Sequence, residues 1–166
     1  MVADMIRFNL EEMQHPFVQK WEALLSDIRQ QIEANEPPYS EAAIVKNFEN
    51  KRGDNPVHYA NSMAIRLANT YAKTPVWCNR GVNGIEGSLS TAAGFSVVTD
   101  ENVYCVIGDL SFFYDQNALW NQNLRGNFRI LLMNNGKGGI FDMLPGLEQS
   151  PARDKYVSAE HQATAE

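Results

Sequence analysis

Two residues in this chain are placed to do chemistry together. Asp109 closes an apolar, β-branched run, Val103-Tyr104-Cys105-Val106-Ile107-Gly108, and Asn135 follows a second apolar run, Phe128 to Met133. A carboxylate and a neutral amide oxygen suit a hard divalent cation such as Mg2+, which takes oxygen ligands and shares them with phosphate. Gly108 lets the backbone approach closely, and the amides of Leu110 and Ser111 open the next segment, where N–H groups can meet an anion. The plainer alternative is two ordinary strand-to-helix turns in which Asp and Asn serve as turn formers or caps.

Those positions form one site only if the surrounding elements bring them to a common edge. Val103 to Ile107 reads as a strand, Phe112 to Leu124 can be helical, and Phe128 to Met133 reads as a second strand, together a right-handed βαβ unit. Parallel neighbours put their carboxyl ends side by side, on the edge where open α/β sheets bind ligands. Upstream, Phe17 to Asn35 carries Phe17, Trp21, Leu24, Leu25, Ile28 and Ile32 at helical spacing, and Glu36-Pro37-Pro38 ends that helix. Met1 to Pro16 has no clear period and reads as a linker. Ser40 is a plausible N-cap for a helix running to about Lys51, with Ala43, Ile44 and Phe48 inward. Asp54 to Ala60 and Val76-Trp77-Cys78 are short strand candidates. Ser62 caps a helix over Met63 to Tyr71, with Ile65 and Leu67 inward and Arg66 on another face. A glycine-bearing loop, Asn79 to Gly87, leads into a small-residue helix over Ser88 to Val98. This alternation predicts an α/β fold, a parallel sheet with helices on both faces. Leu144 to Glu166 shows no finished element.

The chain has 166 residues, a formal charge of -6 and a pI near 5.1. That length can bury a sizeable core. The acidic balance offers no basic stripe for nucleic acid. Local anion binding must then come from a metal, helix N-termini and single arginines. Cys78 and Cys105 sit in apolar runs and read as reduced, buried thiols rather than a disulfide or zinc framework. No apolar run approaches the ~20 residues needed to span a bilayer, and no signal peptide is evident. A soluble cytoplasmic protein is expected, with no membrane partner.

At Gly108-Asp109-Leu110-Ser111 and Asn134-Asn135 the chain resembles the thiamine-diphosphate enzymes, whose metal and diphosphate motif opens on Gly-Asp and closes on Asn-Asn. The resemblance implies a thiamine-diphosphate-binding fold of the pyrophosphate-domain type. It implies that Asp109, the Asn135 side chain and the main-chain oxygen of Lys137 hold Mg2+ (or Mn2+), with Gly108, Leu110, Ser111 and Gly138 also at the cofactor. Three further stretches narrow the likeness: Ala60 to Leu67, Asn79-Arg80-Gly81 continuing through Gly84-Ile85-Glu86-Gly87 to Gly94, and Gly139 to Pro145. They are similar to the 2-succinyl-5-enolpyruvyl-6-hydroxy-3-cyclohexene-1-carboxylate (SEPHCHC) synthases, the MenD family of menaquinone biosynthesis.

For that family the implied substrates are 2-oxoglutarate, which is decarboxylated, and isochorismate, which receives the succinyl carbanion. Carried over by residue, Arg66 and Arg80 would pair with substrate carboxylates as fork-shaped permanent charges. Ser62, with Asn61 beside it, would hydrogen-bond intermediate or cofactor. Ile85 would be the apolar prop under the bent cofactor, and Ile140, Phe141 and Leu144 would wall the pocket against water. The plainer alternative for the two arginines is surface salt bridging.

The likeness also implies a missing part. The glutamate that activates the cofactor's aminopyrimidine belongs, in the family, to a pyrimidine-binding domain of a second subunit, so the intact enzyme is expected to be a homo-oligomer. Residues 1–38 read as linker and leading helix, and 39–166 as a partial cofactor domain, incomplete at its C-terminus and inactive alone. Lys137 stands where a glycine often sits, and its side chain has no evident task. Two other functions fit the same motif: another 2-oxo-acid enzyme of the acetolactate-synthase type, or a non-catalytic binding module.

Overall fold

A computed structural model of the chain describes residues 16–81 and 83–165. Most of the expected linker from Met1, together with Val82 and Glu166, lies outside the described residues. The chain divides into two compact units, Met1–Pro38 and Tyr39–Glu166. The first contains helix α1, Pro16–Ala34, on the span that the apolar spacing predicts.

The second unit is a parallel α/β sheet. Its elements are α2 (Glu41–Lys51), β1 (Val57–Tyr59), α3 (Met63–Tyr71), α4 (Ser88–Val97), β2 (Val103–Gly108), α5 (Asp109–Asp115) and β3 (Phe128–Met133). The strands lie side by side in the order β1-β2-β3, all parallel, with Val57 beside Tyr104 and Val103 beside Phe128. Side chains of a strand alternate between faces. Val103, Cys105 and Ile107 on one face of β2 and Val106 on the other are all buried, so both faces are covered, as in a parallel sheet that helices sandwich. Leu89, Ala92, Ala64 and Phe112 belong to that core.

The chain order gives the sheet its crevice. Trp77 makes one parallel bridge to His58 on the side of β1 away from β2. From β1 the chain therefore steps outward to Trp77, whereas from β2 it steps the other way to β3. Strand connections diverge between β1 and β2, and at such a switch point the carboxyl ends leave a gap that ligands fill.

A buried ionic cluster stands at the base of β1. Arg52 donates to Glu49 Oε1 at 3.0 Å, to Asn55 O at 2.7 Å and to Thr74 Oγ1 at 2.6 Å. The hydroxyl of Tyr59 donates to the same Glu49 oxygen at 2.6 Å. Burial, then the bond to Glu49, pushes the Tyr59 pKa strongly upward.

Several expectations need correction. The strand expected over Asp54 to Ala60 shrinks to Val57–Tyr59, and Val76-Trp77-Cys78 supplies a single bridge instead of a strand. The helix expected over Phe112 to Leu124 ends early. It begins at Asp109, becomes 3-10 over Gln116–Trp120, and stops at Asn121, whose side-chain oxygen takes the Asn123 N–H and so competes with the helix. Helix α2 buries Val45, Lys46 and Glu49, while Ala43, Ile44 and Phe48 are half-buried. Ser40 does cap it, accepting from Ala43 N at 3.3 Å. Ser62 makes no capping bond and sits at φ 71. The tail beyond Leu144 holds a 3-10 turn, Leu147–Gln149, and a π turn, Arg153–Val157.

Candidate active site

The gap between β1 and β2 opens into a cleft of about 640 Å³. From the turn after β1 come Asn61 and Ser62, from α3 Arg66, from the loop before α4 Arg80 and Ile85, and from β2 and α5 Gly108, Asp109, Leu110 and Ser111. The β3 side adds Asn135, Lys137, Gly138, Ile140 and Phe141. Residues read from separate stretches of sequence thus share one cavity. Leu144 is not among its lining residues and is 49% exposed.

Asp109 lies at the bottom, 3% exposed. Its Oδ1 accepts from Leu110 N at 2.7 Å, and its Oδ2 accepts from Gly136 N at 2.7 Å and meets His161 Nε2 at 3.2 Å. The bond from Gly136 seats the loop after β3 directly on the carboxylate at the end of β2. In that loop Asn135 Oδ1 accepts from Lys137 N at 3.1 Å, and Lys137 O accepts from Gly139 N at 3.0 Å. The tight fold explains the glycines. A Cβ on Gly139 would meet Asn135 Nδ2 at 2.8 Å, and one on Gly138 would meet the Phe141 ring at 2.9 Å. The Lys137 side chain has a task after all, an ion pair with Asp142 at 2.6 Å, which raises its pKa.

These oxygens fit a hard cation. A carboxylate offers about four acceptor positions and a carbonyl two. The contacts above leave Asp109, Asn135 Oδ1 and Lys137 O each with one to spare. Among the described residues no cluster of three or more His, Cys, Asp or Glu gathers as a metal site. One carboxylate, one amide and one main-chain oxygen make a set suited to Mg2+ rather than zinc.

Asn61 is the structural hinge-pin of the opposite wall. Its amide donates to Asn79 O at 2.9 Å and Gly84 O at 2.5 Å, while its oxygen accepts from Cys78 Sγ at 3.6 Å and from Arg80 at 3.4 Å. Asn79 extends the tie, donating to Gly87 O and Thr91 Oγ1 and contacting buried His58. Ser111 Oγ donates to Ile85 O, joining this loop to α5. Arg66 donates to Ser62 O at 2.9 Å. The hydroxyl-bearing Ser62 reaches the cleft on a backbone turn that L-residues rarely adopt.

Sequence reasoning missed two participants. Glu41, read only as the start of a helix, lines the cleft and accepts from Asn135 Nδ2 at 2.9 Å. Burial raises its pKa, the Asn135 bond opposes the rise, and the nearby Asp109 charge adds to it. His161 stands in a tail without periodicity, so no pattern marked it.

The chain is 43% identical over 164 residues, 96% of its length, to the 2-succinyl-5-enolpyruvyl-6-hydroxy-3-cyclohexene-1-carboxylate synthase of Bacteroides fragilis. Over this stretch the chain is similar to the SEPHCHC synthases. The synthase of Bacteroides thetaiotaomicron is 55% identical over 112 residues, 66% of this chain, and that of Christiangramia forsetii 45% over 134 residues, 78% of it. No family model matches the chain. It spans 29%, 20% and 23% of the lengths of these SEPHCHC synthases respectively. No helix among its described residues is long and apolar enough to cross a membrane.

Proposed function

We propose that this chain is the thiamine-diphosphate- and Mg2+-binding portion of a SEPHCHC synthase, an enzyme that decarboxylates 2-oxoglutarate and adds the succinyl unit to isochorismate in menaquinone biosynthesis. The family supports the reaction. One contact carries the site: the Gly136 N–H on Asp109 Oδ2 at 2.7 Å, which draws the ends of β2 and β3 together.

Asp109, Asn135 Oδ1 and Lys137 O hold Mg2+ (or Mn2+), with Gly108, Leu110, Ser111 and Gly138 beside the diphosphate. Bound there, thiamine diphosphate supplies the electron sink for loss of carbon dioxide. Ile85 props the cofactor, and Asn61 and Ser62 stand at the rim of the reacting centre. Arg66 and Arg80 take the carboxylates of the substrates. Arg80 is ready for exchange, because its 3.4 Å contact to Asn61 is long for a hydrogen bond. Ile140 and Phe141 keep water from the reacting carbon. A pyrimidine-binding domain from a second subunit completes the site in a cytoplasmic homo-oligomer, and the chain alone is inactive.

Calorimetry of thiamine diphosphate with Mg2+ tests the reading on wild type and Asp109→Ala. Binding heat is expected for the first and its loss for the second. Equal heats for the two would reduce the crevice to a fold feature without cofactor. Preference of the intact enzyme for pyruvate over 2-oxoglutarate would sink the substrate assignment.

A further inference from the structure

The segment after the π turn crosses the loop that follows β3. Gly138 N donates to Ser158 O at 2.6 Å, His161 N donates to Gly136 O at 2.8 Å, and Asn134 Nδ2 donates to Ala163 O at 3.1 Å. Residues 158–163 therefore form a strap tied to Asn134, Gly136 and Gly138. The strap ends in a side-chain contact, His161 Nε2 to Asp109 Oδ2 at 3.2 Å.

The ring's protonation pattern follows from its other nitrogen. Ala163 N donates to His161 Nδ1 at 3.1 Å, so Nδ1 is an acceptor and the proton of the neutral ring is on Nε2. Nε2–H then donates to Asp109. The ring cannot swing freely, because it packs edge-on to Phe113, with centroids 5.4 Å apart and planes at 90°. Phe113 is on α5, the helix that Asp109 begins. Position, tautomer and ring plane are thus all set by different neighbours.

We propose that His161 is a positioning residue for the metal corner: through Nε2–H it holds Asp109 Oδ2, and the strap holds the β3 loop against the same carboxylate. The inference rests on the proposed Mg2+ site. With Oδ2 occupied by Gly136 and His161, the carboxylate cannot rotate, and its remaining acceptor position keeps one direction. Partners of this kind around a ligand carboxylate commonly change metal affinity by about 10–100-fold when removed. His161 itself is not a ligand in this arrangement, since the proton is on the nitrogen that faces Asp109.

Two substitutions in the full chain separate the hydrogen bond from packing. His161→Phe keeps a ring against Phe113 and deletes the donor, whereas His161→Gln restores an N–H at similar reach. Mn2+ affinity in the presence of thiamine diphosphate, read by the electron paramagnetic resonance of free Mn2+, is expected to fall about 10–100-fold in His161→Phe and to return to within about threefold in His161→Gln. A His161→Phe chain that binds Mn2+ as tightly as wild type overturns the proposal, as does one that binds more tightly, which would make the ring a competitor. The nitrogen spectrum of the imidazole supplies an arm that needs no metal. An Nε2–H tautomer is expected in wild type, with its hydrogen-bonded shift lost in Asp109→Ala, and the Nδ1–H tautomer in wild type would also overturn the brace. Failure of wild type itself to bind Mn2+ with cofactor counts against the site, not against the brace, which the spectrum still decides.

Discussion

The Asn135 side-chain amide donates to Glu41 Oε1 at 2.9 Å, joining residues 94 positions apart. An ionised carboxylate only accepts hydrogen bonds, so this contact fixes which end of the amide is nitrogen. The oxygen is left facing its own loop, where Lys137 N donates to it. Glu41 thus orients one proposed ligand, as His161 orients another.

Removing that orienting carboxylate lets the amide turn. Glu41→Ala is expected to weaken Mn2+-dependent binding of thiamine diphosphate by about tenfold, and Glu41→Gln, which keeps an oxygen acceptor, by much less. Calorimetry on both variants checks this, and an unchanged Glu41→Ala would deny Glu41 the role.

Arg80 supplies a fork-shaped cation at the cleft. In the intact enzyme Arg80→Lys keeps the charge but loses the paired geometry, and the KM for 2-oxoglutarate is expected to rise about tenfold. Steady-state kinetics would contradict this if kcat fell while KM stayed put.

Ser62 sits at φ 71 and ψ -132, a region costing about 1–3 kcal/mol for an ordinary residue. Ser62→Gly is expected to raise stability to urea by about 1 kcal/mol while impairing turnover of the intact enzyme. A destabilised glycine variant would show that the hydroxyl, not the backbone, matters to the fold.

Glu49 and Arg52 are buried as a pair, each with a side chain 1% exposed. Glu49→Ala strands the guanidinium and is expected to cost about 3–5 kcal/mol. Tyr59→Phe removes one bond to a charged acceptor and should cost about 1.5–3 kcal/mol. Urea denaturation of the two variants gives the order.

His58 is buried with Nδ1 lacking a partner among the described residues, and burial lowers its pKa, although the contact with Asn79 works the other way. Between the lowered folded pKa and the ordinary value the unfolded chain binds more protons, so stability rises with pH. It is fully present above about pH 6.5 and is lost as pH falls toward the folded pKa. His58→Gln is expected to flatten that slope in urea titrations at several pH values; an unchanged slope would place the acid sensitivity elsewhere.

β2 and β3 were legible because short apolar runs announce strands of a parallel sheet, and the carboxyl ends of both fall where Gly108 and Asn134 stop the apolar pattern. Ser40 was legible for a local reason, a cap three residues from its donor. Ser62 has the residue type of a cap too, but its left-handed backbone is imposed by the turn out of β1, and residue type carries no trace of that. Glu41 and His161 were illegible because their partners lie 94 and 52 positions away. Leu144 is not among the residues that line the cleft. It is apolar and near Phe141 in sequence, but the 3-10 segment Gly139–Met143 ends just before it and the chain leaves the cleft there.

Asn61 has a consequence for genetics. One amide spans two carbonyls, Asn79 O and Gly84 O, and its oxygen receives two donors, so it fastens the loop while standing at the rim of the cavity. An alanine scan would score it as indispensable without revealing whether a contact to a small molecule or the anchorage of the loop had gone. Second-site suppressors that restore growth would separate the two, since repairs to anchorage should map between Cys78 and Gly87 and repairs to ligand contact should not.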